Sequence, residues 1–334
     1  QMDNKARLNM SVNLFIVESP FQLLSAIEAR KHFNDEPALL FIRYSSESNN
    51  NKQIENILGL FEWPNIIRVN HHSLKAFAAI NILLVIRSIK REYGQFNKIF
   101  VSYYGGYQRY FLSNLRKQQV FIIDDGTYTY SIQKNILSKG NPYPFKDGVL
   151  KKMAFKLFGL SLKTVDRINL FTCFDIKPIG EQEVIQHPFS FARSLINNNT
   201  SSEGKVYLLG GNWVEASYVS AEYYHAVILK TVYYIPHRRE IESNLYEISK
   251  LEGVSIDRFK NPVEIEFSIR GVMPEYIISP VSTALYVLPL MYPSAKFELV
   301  KIDLDQINSL YKKDIEMLQN YYEEHLDKLK PLKC

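Results

Sequence analysis

The sequence has 334 residues, 46% of them hydrophobic, and a formal net charge of +5. This length allows two domains of ordinary size, and the composition is that of a globular chain, which excludes disordered and fibrous classes. The small excess of Lys and Arg does not predict nucleic-acid binding, which needs a concentrated basic face, but it suits anionic substrates or an anionic membrane surface.

Cysteine content and hydropathy limit the cellular compartments that the sequence suits. Cys173 and Cys334 are the only cysteines, so we expect a reducing compartment and no disulfide framework. The uncharged apolar run at 76–86 is too short to span a bilayer, and the N-terminal residues do not have the pattern of a signal peptide. We therefore expect a cytoplasmic protein that is soluble or peripheral on the inner face of the cell membrane.

The first half of the chain alternates between strand and helix patterns. An apolar run at 12–17 precedes Ser19-Pro20, which suits the start of a helix. Further short strands are predicted at 39–42, 66–69, 98–102 and 120–123, with helices at 53–61, 74–91 and 107–115. This alternation predicts a parallel sheet covered on both faces, in a domain over residues 8–140.

A less regular connecting segment is predicted at 141–203. Its residues 151–163 are amphipathic, because at helical spacing Lys152, Lys156 and Lys163 lie opposite Met153, Leu157 and Leu160. A basic amphipathic helix can lie on an anionic membrane, although such a stripe more often packs on the protein. Membrane contact and homodimerisation both remain open for this segment.

A second α/β series occupies residues 204–334. Strands are predicted at 205–209, 232–235, 276–278 and 296–300, and a long polar helix at 305–328. Two α/β domains of similar size fit the two-lobed architecture of many sugar transferases. Architecture alone does not establish function.

Two strand ends in this second series have groups suited to a phosphate. The strand at 232–235 is followed by Pro-His-Arg-Arg at 236–239, a histidine and two cations. The strand at 276–278 is followed by the hydroxyl-rich Ser-Pro-Val-Ser-Thr at 279–283 and then a helix. Free amides and hydroxyls at a helix N-terminus bind anions. The sequence therefore predicts a site for a phosphate-containing donor.

Several carboxylates are candidates for a general base or a binding group. Asp124 and Asp125 directly follow the strand at 120–123, where paired carboxylates can include a base, although Asp-Gly is also a common turn. Glu215 follows Gly210-Gly211, which allows close backbone approach; the alternative is a solvated loop carboxylate. Glu264 near a helix start favours that N-terminus and could also bind a ribose.

Metal ligation is not predicted. The spacing Asp303-Leu304-Asp305 is interpreted as a helix cap, and no pair of histidines has zinc spacing with a third ligand. His187-Pro188 resembles a His-Pro motif, but no strand is predicted to precede it.

Taken in order, these motifs resemble those of bacterial sialyltransferases, most closely glycosyltransferase family 52, which includes lipooligosaccharide and capsule sialyltransferases. The segments concerned are 18–24 (ESPFQLL), 124–126 (DDG), 235–240 (IPHRRE) and 279–283 (SPVST). The resemblance implies a GT-B-like α/β fold, in which an acceptor-side and a CMP-donor-binding Rossmann-type domain, with mainly parallel sheets, face a cleft. It also implies a CMP-sialic acid donor, a galactose-terminated glycan acceptor, inversion, an α-2,3 linkage, and no metal or other cofactor.

The resemblance also implies residue roles. His237 matches the family's general-acid histidine, with Arg238 in place of the following proline. Ser282 and Thr283 match the hydroxyl pair that binds phosphate, and Glu264 the ribose carboxylate. The base is Glu215 by the family 52 pattern, or Asp124 or Asp125 by the family 80 pattern, and Glu215 is favoured. The remaining predicted substrate-binding residues are Arg238, Arg239, Gly211, Asn212, Ser19 and Gln22.

Two other functions remain open at this stage. One is a different CMP- or UDP-sugar glycosyltransferase on the same fold. The other is a non-catalytic module that binds a nucleotide sugar without turnover.

Overall fold

The computed structural model describes residues 12–34, 37–71, 74–135, 147–163, 167–196, 201–228 and 232–329. The chain divides into two compact units, Gln1–His187 and Pro188–Cys334. The division falls inside the predicted connecting segment, of which residues 141–146, 164–166 and 197–200 lie outside the described residues. None of the described helices is both long enough and apolar enough to cross a membrane.

The first unit is built on a parallel sheet with strand order β3-β2-β1-β4-β5-β6-β7. The strands are β1 (Val12–Val17), β2 (Ala38–Arg43), β3 (Asn65–Val69), β4 (Phe96–Val101), β5 (Lys117–Ile123), β6 (Asn169–Thr172) and β7 (Val184–Gln186). The helices are α1 (Pro20–His32), α2 (Ser48–Leu58), α3 (Lys75–Glu92), α4 (Gly106–Asn114), α5 (Tyr128–Asn135) and α6 (Val149–Leu157).

Helices cover both faces of this sheet. All six residues of β1 are buried, as expected for a continuous apolar run in a parallel sheet. On one face Phe15 stacks on Phe100 with ring centroids 4.4 Å apart, and Phe33 at the end of α1 contacts the same ring at 5.5 Å. On the other face, α3, α4 and α6 contribute to a single core cluster with the strands through Ile86, Phe111 and Phe155.

The second unit has a smaller parallel sheet with strand order β11-β10-β9-β13-β14 and a two-stranded pair, β12-β8. The strands are β8 (Ser201–Ser202), β9 (Val206–Leu209), β10 (Val232–Ile235), β11 (Val254–Ile256), β12 (Val272–Met273), β13 (Tyr276–Ser279) and β14 (Lys296–Leu299). The helices are α7 (Ser190–Ser194), α8 (Ala221–Val227), α9 (Glu242–Ser249), α10 (Val263–Arg270), α11 (Thr283–Met291) and α12 (Lys312–Leu329).

Two parallel α/β sheets confirm the predicted fold class. The prediction for the middle of the chain missed β6 and β7, which extend the first unit's sheet; at four and three residues they are too short for a periodic pattern. The last helix begins at Lys312 rather than at 305. Residues 304–306 instead form a 3₁₀ turn, capped by Asp303, whose Oδ1 accepts from the Asp305 N–H at 3.0 Å.

Candidate functional site

The candidate site lies at the carboxyl edge of the second unit's sheet. Strands β10, β9 and β13 are adjacent and parallel, so the segments that follow them, 236–240, 210–215 and 280–283, lie at one edge. The chain winds outward from β9 to β10 and β11, and then returns to place β13 on the other side of β9. Ligands of open α/β sheets bind at such a reversal. The fold thus brings together segments predicted from separate motifs.

His237 lies just beyond the end of β10, and its ring has a defined tautomer. Its Nδ1 accepts a hydrogen bond from the Arg239 main-chain N–H at 3.2 Å, which leaves Nε2 to hold the proton of the neutral ring. Burial, followed by the positive charges of Arg238 and Arg239, lowers the pKa of His237 to about 3. At neutral pH the imidazole is therefore uncharged and presents an Nε2–H donor.

A buried hydrogen-bonded chain fixes the loop that holds His237. The Glu240 carboxylate accepts from the His237 main-chain N–H through Oε2 at 2.6 Å, and it accepts from the Tyr234 hydroxyl through Oε1. Tyr234 is in turn 3.1 Å from the Tyr224 hydroxyl, which accepts from the Gly211 N–H at 3.3 Å. This series of hydrogen bonds links the segment after β9 to the segment after β10.

The space around Glu240 leaves no room for a side chain at Gly210. A Cβ placed there would lie 2.4 Å from Glu240 Oε2 and 2.5 Å from the Tyr234 hydroxyl. At Gly211 a Cβ would lie 2.5 Å from Cδ1 of Trp213. The Gly-Gly pair therefore allows close approach of the backbone, as predicted, but the groups that approach it belong to this chain.

The environment of Glu240 makes the stability of the fold depend on the protonation of this carboxyl group. The pKa of Glu240 is raised from 4.5 to about 7, mainly by burial and to a smaller extent by the nearby charge of Glu215. Hydrogen bonds from Tyr234 and His237 act in the opposite direction and lower it. The folded protein thus holds this proton more tightly than the unfolded chain does. The free energy of unfolding should consequently fall as pH rises from about 4.5 to about 7.

We expect Glu240→Gln to remove this contribution. A glutamine can still accept from His237 and can donate to the Tyr234 oxygen, so both contacts are retained. Relative to wild type, the variant should gain about 1 to 3 kcal/mol of unfolding free energy between pH 4.5 and pH 8. Urea unfolding at several pH values measures this, with the exposed Glu247→Gln of α9 as control. A difference that does not change with pH would contradict the assignment.

Glu215 is held by the start of α9. Its Oε1 accepts from the Ile241 N–H at 3.1 Å and from the Asn244 side-chain amide at 3.4 Å, while Asn244 Oδ1 lies 2.7 Å from His225 Nε2. Its Oε2 is buried and makes no hydrogen bond to any described residue. The carboxylate is therefore not a solvated loop group. One oxygen is held by donors at the start of α9, and the other is a buried acceptor with no partner among the described residues.

Ser282 and Thr283 begin α11, as predicted. Ser282 is the N-cap; its hydroxyl accepts from the Leu285 N–H at 3.2 Å and lies 3.0 Å from the Ser279 hydroxyl. The Thr283 hydroxyl makes no hydrogen bond within the described part of the chain, and both residues are partly exposed. The Thr283 hydroxyl and the first amides of α11 are therefore placed where an anion could bind.

Glu264 and Asn212 complete the predicted donor side. Glu264 is buried at the start of α10; burial raises the pKa of its carboxyl, and the positive charge of Arg238 lowers it. Arg238 is thus close enough to act on Glu264. Asn212 lies in the turn after β9, where its carbonyl accepts from the Ala216 N–H at 2.9 Å.

Asp124 and Asp125 lie in the first unit at the end of β5. Asp124 is fully buried; Oδ1 accepts from the Thr172 hydroxyl at 2.6 Å and Oδ2 from the Cys173 N–H at 2.7 Å. His187 Nε2 is 3.5 Å from Oδ2. These contacts give Asp124 a structural part in joining β5 to β6, whereas Asp125 is partly exposed in the turn. A catalytic role for either residue stays a prediction.

Ser19 and Gln22 build the turn between β1 and α1. The Ser19 hydroxyl caps α1 by accepting from the Gln22 N–H at 3.3 Å, and Gln22 Oε1 accepts from the Glu18 N–H at 2.8 Å. Both residues are buried. The structure accounts for these side chains through local contacts, and their predicted role in substrate binding is untested.

Sequence reasoning missed several of these groups. Glu240 is part of the 235–240 segment but has no predicted role, although a carboxylate three residues after the histidine has the spacing at which a side chain reaches back to a main-chain N–H. The expectation that no strand precedes His187 is wrong, because β7 ends at Gln186. Within the described residues, no cluster of three or more His, Cys, Asp and Glu side chains has metal-binding geometry.

Comparisons with known proteins address the fold. No protein-family model and no curated protein matches the sequence. A Listeria monocytogenes structure provisionally assigned as a UDP-N-acetylglucosamine 2-epimerase is similar at a TM-score of 0.51, with 9% identity over 96% of this chain and 90% of that one. A glycosyltransferase from Rickettsia africae ESF-5 matches at a TM-score of 0.44, with 12% identity over 96% of both chains. Acinetobacter baumannii MurG matches at 0.38, with 10% identity over 96% of this chain and 84% of that one.

At these identities the likeness is one of fold. The similarity to the Listeria protein extends over nearly the whole chain and agrees with the two parallel sheets. The α/β class predicted from the sequence, with two units built on parallel sheets, is thereby confirmed.

Proposed function

We propose that the protein is a sialyltransferase that moves sialic acid from CMP-sialic acid to a terminal galactoside of a surface glycan, with inversion and in an α-2,3 linkage. The observation that supports this best is the meeting of three segments at the switch point of the second unit's sheet. They bring a histidine with a proton on Nε2, a positioned carboxylate and a hydroxyl-bearing helix start to one edge.

These groups suit the departure of CMP. As the bond from the sialic acid anomeric carbon to the phosphate oxygen breaks, negative charge grows on the phosphate. The Nε2–H of His237, the Thr283 hydroxyl and the first amides of α11 are donors for that charge. Burial and the nearby arginines lower the pKa of His237 to about 3 in the free protein. The negative charge of a bound phosphate would raise that pKa, so the ring would become a general acid only when CMP-sialic acid is bound.

Glu215 completes the reaction on the acceptor side. Its Oε2, which has no hydrogen-bond partner among the described residues, takes the proton of the galactose hydroxyl as the galactose oxygen bonds to the anomeric carbon. When the bound phosphate has made the His237 ring an imidazolium, the leaving CMP takes the Nε2 proton and the ring returns to its neutral form. Because CMP leaves with one phosphate rather than a diphosphate, these protein donors take the place of a divalent metal.

Transfer from CMP-sialic acid to a lactoside is expected to proceed at full rate in EDTA. The physical reason is that the growing phosphate charge is met by protein donors. Product formation is followed by chromatography across a donor panel containing CMP-sialic acid, CMP-Kdo and UDP-sugars, with hydrolysis of each donor recorded. Loss of transfer on chelation, restored by manganese or magnesium, would contradict the metal-independent mechanism.

The same panel decides between the alternatives. The Listeria protein's assignment as a UDP-N-acetylglucosamine 2-epimerase makes UDP-sugars the second donor class to test. Turnover of a UDP-sugar, or of CMP-Kdo alone, would contradict the sialyltransferase assignment and identify an enzyme that uses another nucleotide sugar. Binding of CMP without turnover of any donor would identify a non-catalytic module.

A further inference from the structure

Helix α3 of the first unit presents an apolar stripe to solvent. Phe77, Ile80 and Leu84 are 60%, 41% and 49% exposed. Spacings of three and four place them on one side of the helix, away from Ile82 and Ile86, which are buried against the sheet. The outward stripe is therefore a consequence of how α3 packs, because its other side already faces the core.

Helix α6 has the same arrangement. Leu150, Met153 and Leu157 are 83%, 58% and 84% exposed, while Phe155 on the opposite side is buried against the ring of Tyr110, with centroids 4.7 Å apart. The expectation that the apolar stripe of this segment packs on the protein is thus wrong for Met153 and Leu157. Of the three predicted stripe residues, only Leu160 is buried.

Both helices pack against α4 on the same face of the sheet. Contacts join α3 to α4. Arg109 of α4 forms a buried ion pair of 2.7 Å with Asp147, just before α6. Side chains of all three helices belong to one core cluster. The outward stripes of α3 and α6, which we call the α3–α6 surface, therefore belong to one side of the first unit.

Positive charge accompanies the exposed apolar groups. The α3 stripe continues at the same spacing into Arg87 and Arg91, both exposed, and Lys152 and Lys156 flank the α6 stripe. Asp147, two residues before α6, is neutralised by Arg109 and by Lys151 at 2.8 Å. At the end of α3, Glu92 is partly buried. Within the described residues, none of the four cations beside the two stripes forms an ion pair, and apolar side chains beside such cations match the boundary between acyl chains and anionic headgroups.

We propose that the α3–α6 surface binds the protein peripherally to a bilayer that contains anionic phospholipid. The exposed leucines and Phe77 enter the headgroup boundary, and the lysines and arginines contact lipid phosphates. The proposal does not depend on the reaction assigned to the second unit.

Vesicle co-sedimentation of the full chain tests this. Binding to phosphatidylcholine vesicles containing about one quarter phosphatidylglycerol should exceed binding to pure phosphatidylcholine, and it should weaken as salt is raised. We expect Leu150→Ser with Leu157→Ser to weaken binding at least about tenfold, and Lys152→Glu with Lys156→Glu to do the same. Leu310→Ser is the matched control, since Leu310 is 79% exposed in the second unit. Thermal melts of every variant check folding.

Three results would overturn the proposal. The first is no preference for anionic vesicles, and the second is an equal loss of binding in Leu310→Ser. The third is a wild-type dimer without lipid that Leu150→Ser with Leu157→Ser converts to a monomer, while vesicle binding is absent. That result would make the surface an interface between two copies of this chain.

Discussion

Replacement of His237 by Ala is expected to lower kcat by about two to four orders of magnitude, the range for loss of a general acid. The fold should persist, because the main-chain N–H of His237, and not its ring, is the group bound by Glu240. Steady-state kinetics with CMP-sialic acid and a lactoside measure the loss, with thermal unfolding as the check on folding.

His237→Gln separates two roles of the ring. A glutamine amide can donate a hydrogen bond near the position of Nε2–H, but it cannot be protonated at working pH. Activity close to that of wild type in His237→Gln would limit the ring to hydrogen bonding. Activity within a few-fold of wild type in His237→Ala would exclude both roles.

Glu215→Gln should retain CMP binding while transfer falls by about two to four orders of magnitude. The amide oxygen can still accept from Ile241, so the contact with α9 is kept. The nitrogen in place of Oε2 cannot take a proton. CMP affinity by calorimetry and kcat by the transfer assay distinguish these effects, since loss of a transition-state interaction lowers kcat while loss of uniform binding raises KM.

Asp124→Asn and Asp125→Asn are the matched comparison for that experiment. In Asp124→Asn the side-chain NH2 would face either the Thr172 hydroxyl or the Cys173 N–H, both of which donate a hydrogen bond to Asp124. We therefore expect the free energy of unfolding to fall by about 1 to 3 kcal/mol, rather than a selective loss of chemistry. If an Asp124 or Asp125 variant is inactive with normal stability and CMP affinity, and Glu215→Gln is active, the base belongs to the first unit and our assignment is wrong.

The sequence predicted elements whose signals are local. Continuous apolar runs located β1 and β10 with the observed bounds, and Ser19-Pro20 and Ser282-Thr283 marked the starts of α1 and α11. The strands β6 and β7 were missed, because short strands acquire their conformation from pairing with β5 and with each other.

The candidate site was predictable in its parts and not in its connections. His237, Glu215 and the hydroxyl pair were identified from strand ends and loops. The pairing of Glu215 with Ile241 joins residues 26 positions apart, and the link from Tyr224 to Tyr234 depends on how α8 packs on β10. Such contacts exist only once the sheet has formed, so no periodicity in the chain reports them.

The hydrogen bonds from Gly211 through the two tyrosines to Glu240 fix the loop through main-chain groups and leave the ring of His237, the proposed general acid, out of that framework. Tyr234 stands three residues before His237 and Glu240 three residues after it, so the framework reads as Tyr-x-x-His-x-x-Glu along the sequence. A related chain that kept this tyrosine and glutamate but had lost the histidine would preserve the loop without its chemistry. If His237 is the general acid, as we propose, the pattern gives a way to sort active homologues from inactive paralogues that have the same fold.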